Sequence, residues 1–291
     1  MTSLTLWAGG LLSGLLLGAM LALTALGLSI TLGVMRLVNL AHGEMLIGGA
    51  YLSFYLLQRG GIDPLLALPL VAGALALVAW PVHRLLIAPL QGKGLEAPMM
   101  TMFGVSIIVQ NLFLAAFSAD SRSIDTTLAT TPFTLGPVSV PQIYVVGAAI
   151  SVALVLGVHM LVAHTGFGRA LRAASVDPVA AAVQGVNVRR VHALTFGLGA
   201  ACAGVAGVLI GTAFSFTPSG GATYLLVSFA VVLMGGVGNI RGTLWAGLAM
   251  GVLQSVGGLV LGDGYRDLVG LLVFLVALSL KPAAVVNQGV H

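Results

Sequence analysis

Residues 166–191 read GFGRALRAASVDPVAAAVQGVNVRRV, the longest polar interruption in a chain that is otherwise almost continuously apolar. Arg169, Arg172, Arg189 and Arg190 are four of the chain's 12 lysines and arginines, and Asp177 is the one acid of the stretch. Long apolar runs flank it at 142–163 and 191–216. A basic loop between two apolar spans belongs on the cytoplasmic side of a membrane, since lysine and arginine are retained there. The loop, about 164–191, is also patterned. Phe167 to Ser175 reads as a short helix. Asp177 is a good N-cap with Pro178 at the first helical position, so Val179 to Gln184 forms a second short helix, which Gly185 closes. Two short helices on one side of a membrane bundle make a docking surface.

The composition points to the same class. Of 291 residues, 58% are hydrophobic and 7% charged, and the mean hydropathy is +1.09. Soluble domains carry about 25% charged residues, so a soluble fold is excluded. Apolar runs of roughly 20 residues recur, each long enough to cross about 30 Å of hydrocarbon. They lack strand alternation, and helices then satisfy the backbone. The expected fold is all-α, a polytopic transmembrane helical bundle of about 8–9 spans forming a single domain over residues 1–291. The net charge of +4 comes from residues flanking the spans and implies no nucleic-acid partner. Cys202 is the one cysteine and reads as a packed small residue. The N-terminus lacks a basic n-region, and its apolar run is too long for a signal peptide's core.

The first run, about Leu4–Leu32, carries Gly10, Gly14 and Gly18 on one helical face, where another helix can approach closely. A polar patch follows from Gly33 to Glu44. The helix is expected to break near Asn39–Gly43, and 45–57 is short for a span. Further spans are expected at about 64–88, 97–117 and 142–163. Between the last two, 118–141 reads as an external loop punctuated by Pro132, Gly136, Pro137 and Pro141. The run 191–216 is rich in glycine and ends at TPSGG, 217–221. Runs 222–237, 243–261 and 268–280 complete the chain. The short runs 45–57 and 222–237 could pair as broken or re-entrant segments. With the N-terminus outside and the C-terminus inside, Arg36, Arg84, Lys93, Arg169, Arg172, Arg189, Arg190, Arg241 and Lys281 face the cytoplasm. Only Arg59, Arg122 and Arg266 then face outward.

Two clusters compete for a functional reading. An ionisable residue within a membrane costs about 2.5–3.5 kcal/mol on insertion scales and is read as functional by default. Asn39, His42, Gly43 and Glu44 are therefore read as a helix break and possible gate, with a structural role weighed above a direct place in a substrate pathway. The competing placement is the cytoplasmic interface, where neither Arg36 nor Glu44 is buried. The run Gly235, Gly236, Gly238 and Gly242 superficially resembles a phosphate loop. It follows an apolar helix rather than a strand, so it reads as a flexible hinge or a tight crossing. His159, His164 and His192 are placed at the interface. No nucleophile–base pair and no metal-ligand spacing is found, so no catalytic and no metal residue is expected. The Walker A pattern is also absent from the sequence, so ATP hydrolysis is not expected of this chain.

Three segments carry a family resemblance. LSITLGVMRLVNLAHGE (28–44), GRALRAASVDPVAAAVQGVNVRRV (168–191) and LMGGVGNIRGTLWAG (233–247) resemble, in order and spacing, branched-chain amino acid ABC transporter permeases of the Liv type. The resemblance implies a permease subunit in a bacterial inner (plasma) membrane bilayer, working in an ATP-driven importer. Its implied partners are two cytoplasmic ATPase subunits, a second related permease (or a second copy), and an external substrate-binding protein. ATP and magnesium are used by the ATPases, and no cofactor is bound by this chain. Arg169, Arg172, Asp177, Pro178, Ala180, Ala181 and Gly185 then form the ATPase-coupling loop. The glutamate common in importer coupling loops is missing, since Val179, Ala180 and Ala181 stand at its motif. Asn239 stands where the family commonly has serine, and Thr243 where it has alanine. The substrates implied are leucine, isoleucine and valine, with urea or amides for close relatives. A stand-alone secondary carrier or channel is the rival, its broken helices at 39–43 and 217–221 forming a midplane site. Glu44 is the only embedded acid such a carrier could use for coupling.

Overall fold

The computed structural model describes residues 3–280. The chain starts with α1 (Ser3–Met35), α2 (His42–Gly60), α3 (Pro64–Val82) and α4 (Glu96–Phe117). Then come a short α5 (Thr127–Thr130), β1 (Pro132–Leu135), β2 (Val138–Pro141) and α6 (Gln142–His164). The basic loop supplies α7 (Gly166–Val176) and α8 (Pro178–Val183). The last part holds α9 (Val188–Ala213), α10 (Gly221–Gly235), α11 (Ile240–Leu261) and α12 (Arg266–Leu280). Among the described residues, 6 helices are long and apolar enough to cross a membrane, and α10 is apolar but shorter. The protein is an integral membrane protein built as a helical bundle. The all-α expectation needs one correction. The loop 118–141 contains an antiparallel hairpin, with Phe133 opposite Val140 and Leu135 opposite Val138. Gly136, at φ +60°, turns the chain there, a geometry that glycine adopts without penalty.

Helices α1 and α9 form the centre, and α3, α4 and α6 expose far more of their surface. Small residues make that centre possible. A methyl group on Gly14 would lie 2.9 Å from the Val252 Cα, and one on Gly18 would lie 2.7 Å from that of Leu248. The glycine face of α1 is therefore spent on α11 within the same chain. Gly27 and Gly199 bring α1 and α9 equally close. Such approaches raise dispersion contact where no hydrophobic drive separates helix from lipid. Cys202 is buried in α9, as its small neighbours suggest.

The breaks fall differently from expectation. Helix α1 runs on to Met35 and is closed by Arg36, whose φ is +51°. The non-helical segment is thus 36–41 rather than 39–43, and α2 already begins at His42. The His42 ring reaches the Thr24 carbonyl, in the middle of α1. The segment after Met35 has therefore doubled back along α1, and α2 starts deep inside the bundle. The same happens after α9, where residues 214–220 fold back and α10 starts at Gly221. The helices built on the two short runs, α2 and α10, pack against each other.

The described basic residues sort to the ends of the bundle. Arg36, Gln91, Pro178 and His192 border one cavity. Gly33 touches Gly238, and Arg241 bonds His159 at 3.1 Å. That end therefore collects Arg36, Arg84, Lys93, Arg169, Arg172, Arg189, Arg190 and Arg241. The opposite end holds Arg59 and Arg122, which share a cleft, together with Arg266. Lys281 lies outside the described residues.

Candidate functional site

At the basic end, the 166–191 stretch folds as its sequence implies. The Thr165 hydroxyl caps α7 by accepting from the Gly168 amide at 3.1 Å. The Asp177 carboxylate caps α8 by accepting from the Val179 and Ala180 amides at 2.8 and 3.0 Å. Pro178 fills the first position, where the missing N–H costs nothing. Gly185, at φ +86°, ends α8, and the Val186 amide donates back to the Ala181 carbonyl. Arg172 donates to the Val162 carbonyl at the end of α6, and Gly168 packs on the same carbonyl, so α7 is tied to α6. Arg169 stays exposed.

In α8 only Ala181 is buried. Ala180 faces solvent, and Val176, Val179 and Val183 are 79%, 73% and 85% exposed. Three valines held in water by a capped hairpin form an apolar patch that the fold itself does not use. The cap is testable. Asp177→Ala is expected to cost about 1 kcal/mol, so amide exchange of 179–184 should accelerate about fivefold while α6 and α9 keep wild-type protection.

Deep in the bundle a second site forms where α2 and α10 begin. The Asn39 side chain accepts from the Ala41 amide at 3.1 Å and shapes the turn. His42 Nε2 donates to the Thr24 carbonyl at 2.7 Å, which places the ring proton on that nitrogen. Gly43 lies directly on the Gly221 backbone, and the Glu44 carboxylate also packs against Gly221. Ser106 of α4 donates to Glu44 Oε1 at 3.4 Å. Glu44 is only 4% exposed, so the interfacial placement of this residue is overturned. Folding back carries the segment inward, while Arg36 remains exposed at the bundle end. Two helix amino termini converge here, and their free amides and dipoles favour a negative charge. Ser106 and Thr24 gave no signal in the sequence, being single hydroxyls within apolar runs. Gly221 was visible only as part of a break.

The glycine run makes a tight crossing. Gly235 of α10 meets the backbone of Gly242 of α11, while Gly236 and Gly238, with φ of +89° and +73°, form the turn between them. Asn239 caps α11 by accepting from the Gly242 amide at 3.0 Å, and the Thr243 hydroxyl donates to Ser29 of α1 at 3.0 Å. The two residues that depart from the family pattern thus both have partners. His192, at the basic end, is buried there because Gln91 folds over it and donates to its Nδ1 at 2.9 Å.

The profile of a family described as the permease component of branched-chain amino acid transport systems matches residues 10–278. The chain belongs to this family. The permease is 30% identical over 96% of its length to the high-affinity branched-chain amino acid transport system permease protein BraD of Pseudomonas aeruginosa, covering 95% of that protein. It is 28% identical to LivH of Escherichia coli K12, over 95% of this chain and 94% of the relative. A probable branched-chain amino acid transport permease LivH from Methanocaldococcus jannaschii is 28% identical over 90% of this chain and 87% of its own. No solved structure matches.

Proposed function

We propose that this chain is the membrane permease of an ATP-driven importer for branched-chain amino acids, received from an external binding protein. Its basic end faces the cytoplasm, and the chain runs from an outer N-terminus to an inner C-terminus in the bacterial inner membrane. The observation that carries the reading is the α7–α8 hairpin, an apolar patch at the basic end of a bundle whose relatives are branched-chain amino acid permeases. Two ATPase subunits dock there, one on this chain and one on a second permease. ATP-driven closure of the ATPases tilts the hairpin and moves α6 and α9. Helix α9 continues from α8 and packs Gly207 on the Leu46 carbonyl of α2, so its movement reaches the buried junction at Gly43. Glu44 and His42 hold that junction as a gate.

The test is a pull-down of the tagged chain from solubilised native membranes, followed by uptake of labelled leucine into proteoliposomes of the purified material. The expected result is co-purification of an ATPase and a second permease, with uptake that needs ATP and the binding protein. A chain that purifies alone and conducts leucine without ATP is instead a carrier or channel.

A further inference from the structure

Two cavities lie end to end between α3 and α9, apart from the sites above. The first, of about 630 Å³, is lined by Trp80, His83, Arg84, Arg189, Arg190 and Leu194 with three smaller residues. The second, of about 600 Å³, continues along α9 past Gly73, Leu77, Leu161, Phe167 and Leu198. Trp80, Ala193 and Leu194 border both. Helix α9 is the floor and α3 one wall, while Leu161 of α6 and Phe167 of α7 make the other.

The chemistry changes where the cavities join. The first lining has three arginines and no acid. Arg84 is held at the join, its Cζ 5.5 Å from the Trp80 ring. Arg189 and Arg190 stand in the first turn of α9, where the helix dipole adds positive potential. Among the described residues, none of the three has an ion-pair partner. The second lining has no titratable side chain, and Leu77 and Leu194 are exposed in it. Tryptophan marks the level of lipid headgroups, so the arginines sit at the bilayer interface and the apolar groove descends into hydrocarbon.

We propose that this composite groove binds an anionic phospholipid. The headgroup phosphate lies against Arg84, Arg189 and Arg190, as guanidinium forks favour, and one acyl chain lies along Leu77, Leu194 and Leu198. Uncompensated positive charge leading straight into an apolar channel fits a molecule that has both parts. A second copy of this chain fits poorly, because the acids at its basic end are Glu96 and Asp177, and Asp177 is engaged in its cap. The inference needs membrane insertion but not the importer reading.

The test is native mass spectrometry of the full-length chain released from mixed phosphatidylcholine, phosphatidylglycerol and cardiolipin bilayers. The wild type is expected to keep an anionic lipid under activation that strips phosphatidylcholine. The triple variant R84Q/R189Q/R190Q, altered only at exposed side chains, should lower that preference by on the order of a hundredfold. Gly73→Leu should lower anionic-lipid retention several-fold with every arginine present, since open space faces the Gly73 position. Wild-type retention in the triple variant overturns the proposal. So does displacement of the lipid by inorganic phosphate together with normal retention in Gly73→Leu, which leaves a phosphate pocket alone. Disulfide crosslinking of two copies through Leu194→Cys would show protein in the groove and likewise overturns it.

Discussion

Val179→Asp combined with Val183→Asp is expected to abolish leucine uptake while leaving the permease inserted at wild-type levels. Both side chains stand almost fully in water, at 73% and 85% exposure, so the free protein loses no packing. Helix α8 stays anchored by Ala181, the Asp177 cap and the Gly185 turn, none of which is altered. The cost arises only on docking. An ionised carboxylate pressed into an apolar surface without a partner costs several kcal/mol. Two such groups should lower ATPase affinity by well over a hundredfold, at about 1.4 kcal/mol per factor of ten. The measurement is labelled-leucine uptake normalised to permease in the membrane, with co-purified ATPase read from the same preparation. Uptake above half the wild-type rate would remove α8 from the docking interface. Gly185→Val is the backbone counterpart. It places a branched residue at φ +86° and should misdirect α8 at a cost of about 1–2 kcal/mol.

Why α8 was legible in the sequence and the buried junction was not is a matter of range. The signals for α8 are local. Asp177 bonds amides two and three residues ahead, Pro178 fixes its own φ, and Gly185 supplies its own positive φ. The six long apolar helices were legible for a similar reason, since an apolar run needs no knowledge of its neighbours, although about 8–9 spans were expected. Depth was not legible. Polar Asn39 and His42 suggested a break at their own positions, yet the helix ends earlier, at Met35. His42 is buried only because the chain folds back to the Thr24 carbonyl. The glycine faces predicted close approach but not the partner, as Gly14 and Gly18 meet α11 from the far end of the sequence. The 132–141 hairpin was hidden because its prolines and Gly136 read equally well as a plain loop. Glu44 shows the same limit. Its charge marked it as special, but Ser106 and Gly221, which enclose it, come from two distant helices.

Gly43→Leu is expected to reduce uptake to background, with a loss at least as large as that of the docking variants and a different cause. The first atom of any side chain at Gly43 overlaps the Gly221 carbonyl oxygen and lies 2.6 Å from the carbonyl carbon. Both sides of this contact are backbone, so no rotamer change relieves it. The amino termini of α2 and α10 must separate, and overpacking of this kind costs about 1–3 kcal/mol or more. Separation also takes Gly221 away from the Glu44 carboxylate, which then loses the positive end of α10 while remaining buried. ATPase co-purification should persist, because α7 and α8 lie at the bundle end while the atoms nearest to a Gly43 side chain belong to Gly221. Gly73→Ala is the control, since nothing stands within 4 Å of a methyl group there, and it should transport normally. The decisive comparison is Gly43→Ala. Even one methyl group clashes at this position, so uptake should already fall steeply, with the ATPase still bound. Wild-type uptake in Gly43→Ala would mean that the two helix starts part easily, and the junction would then be neither a fixed contact nor a gate.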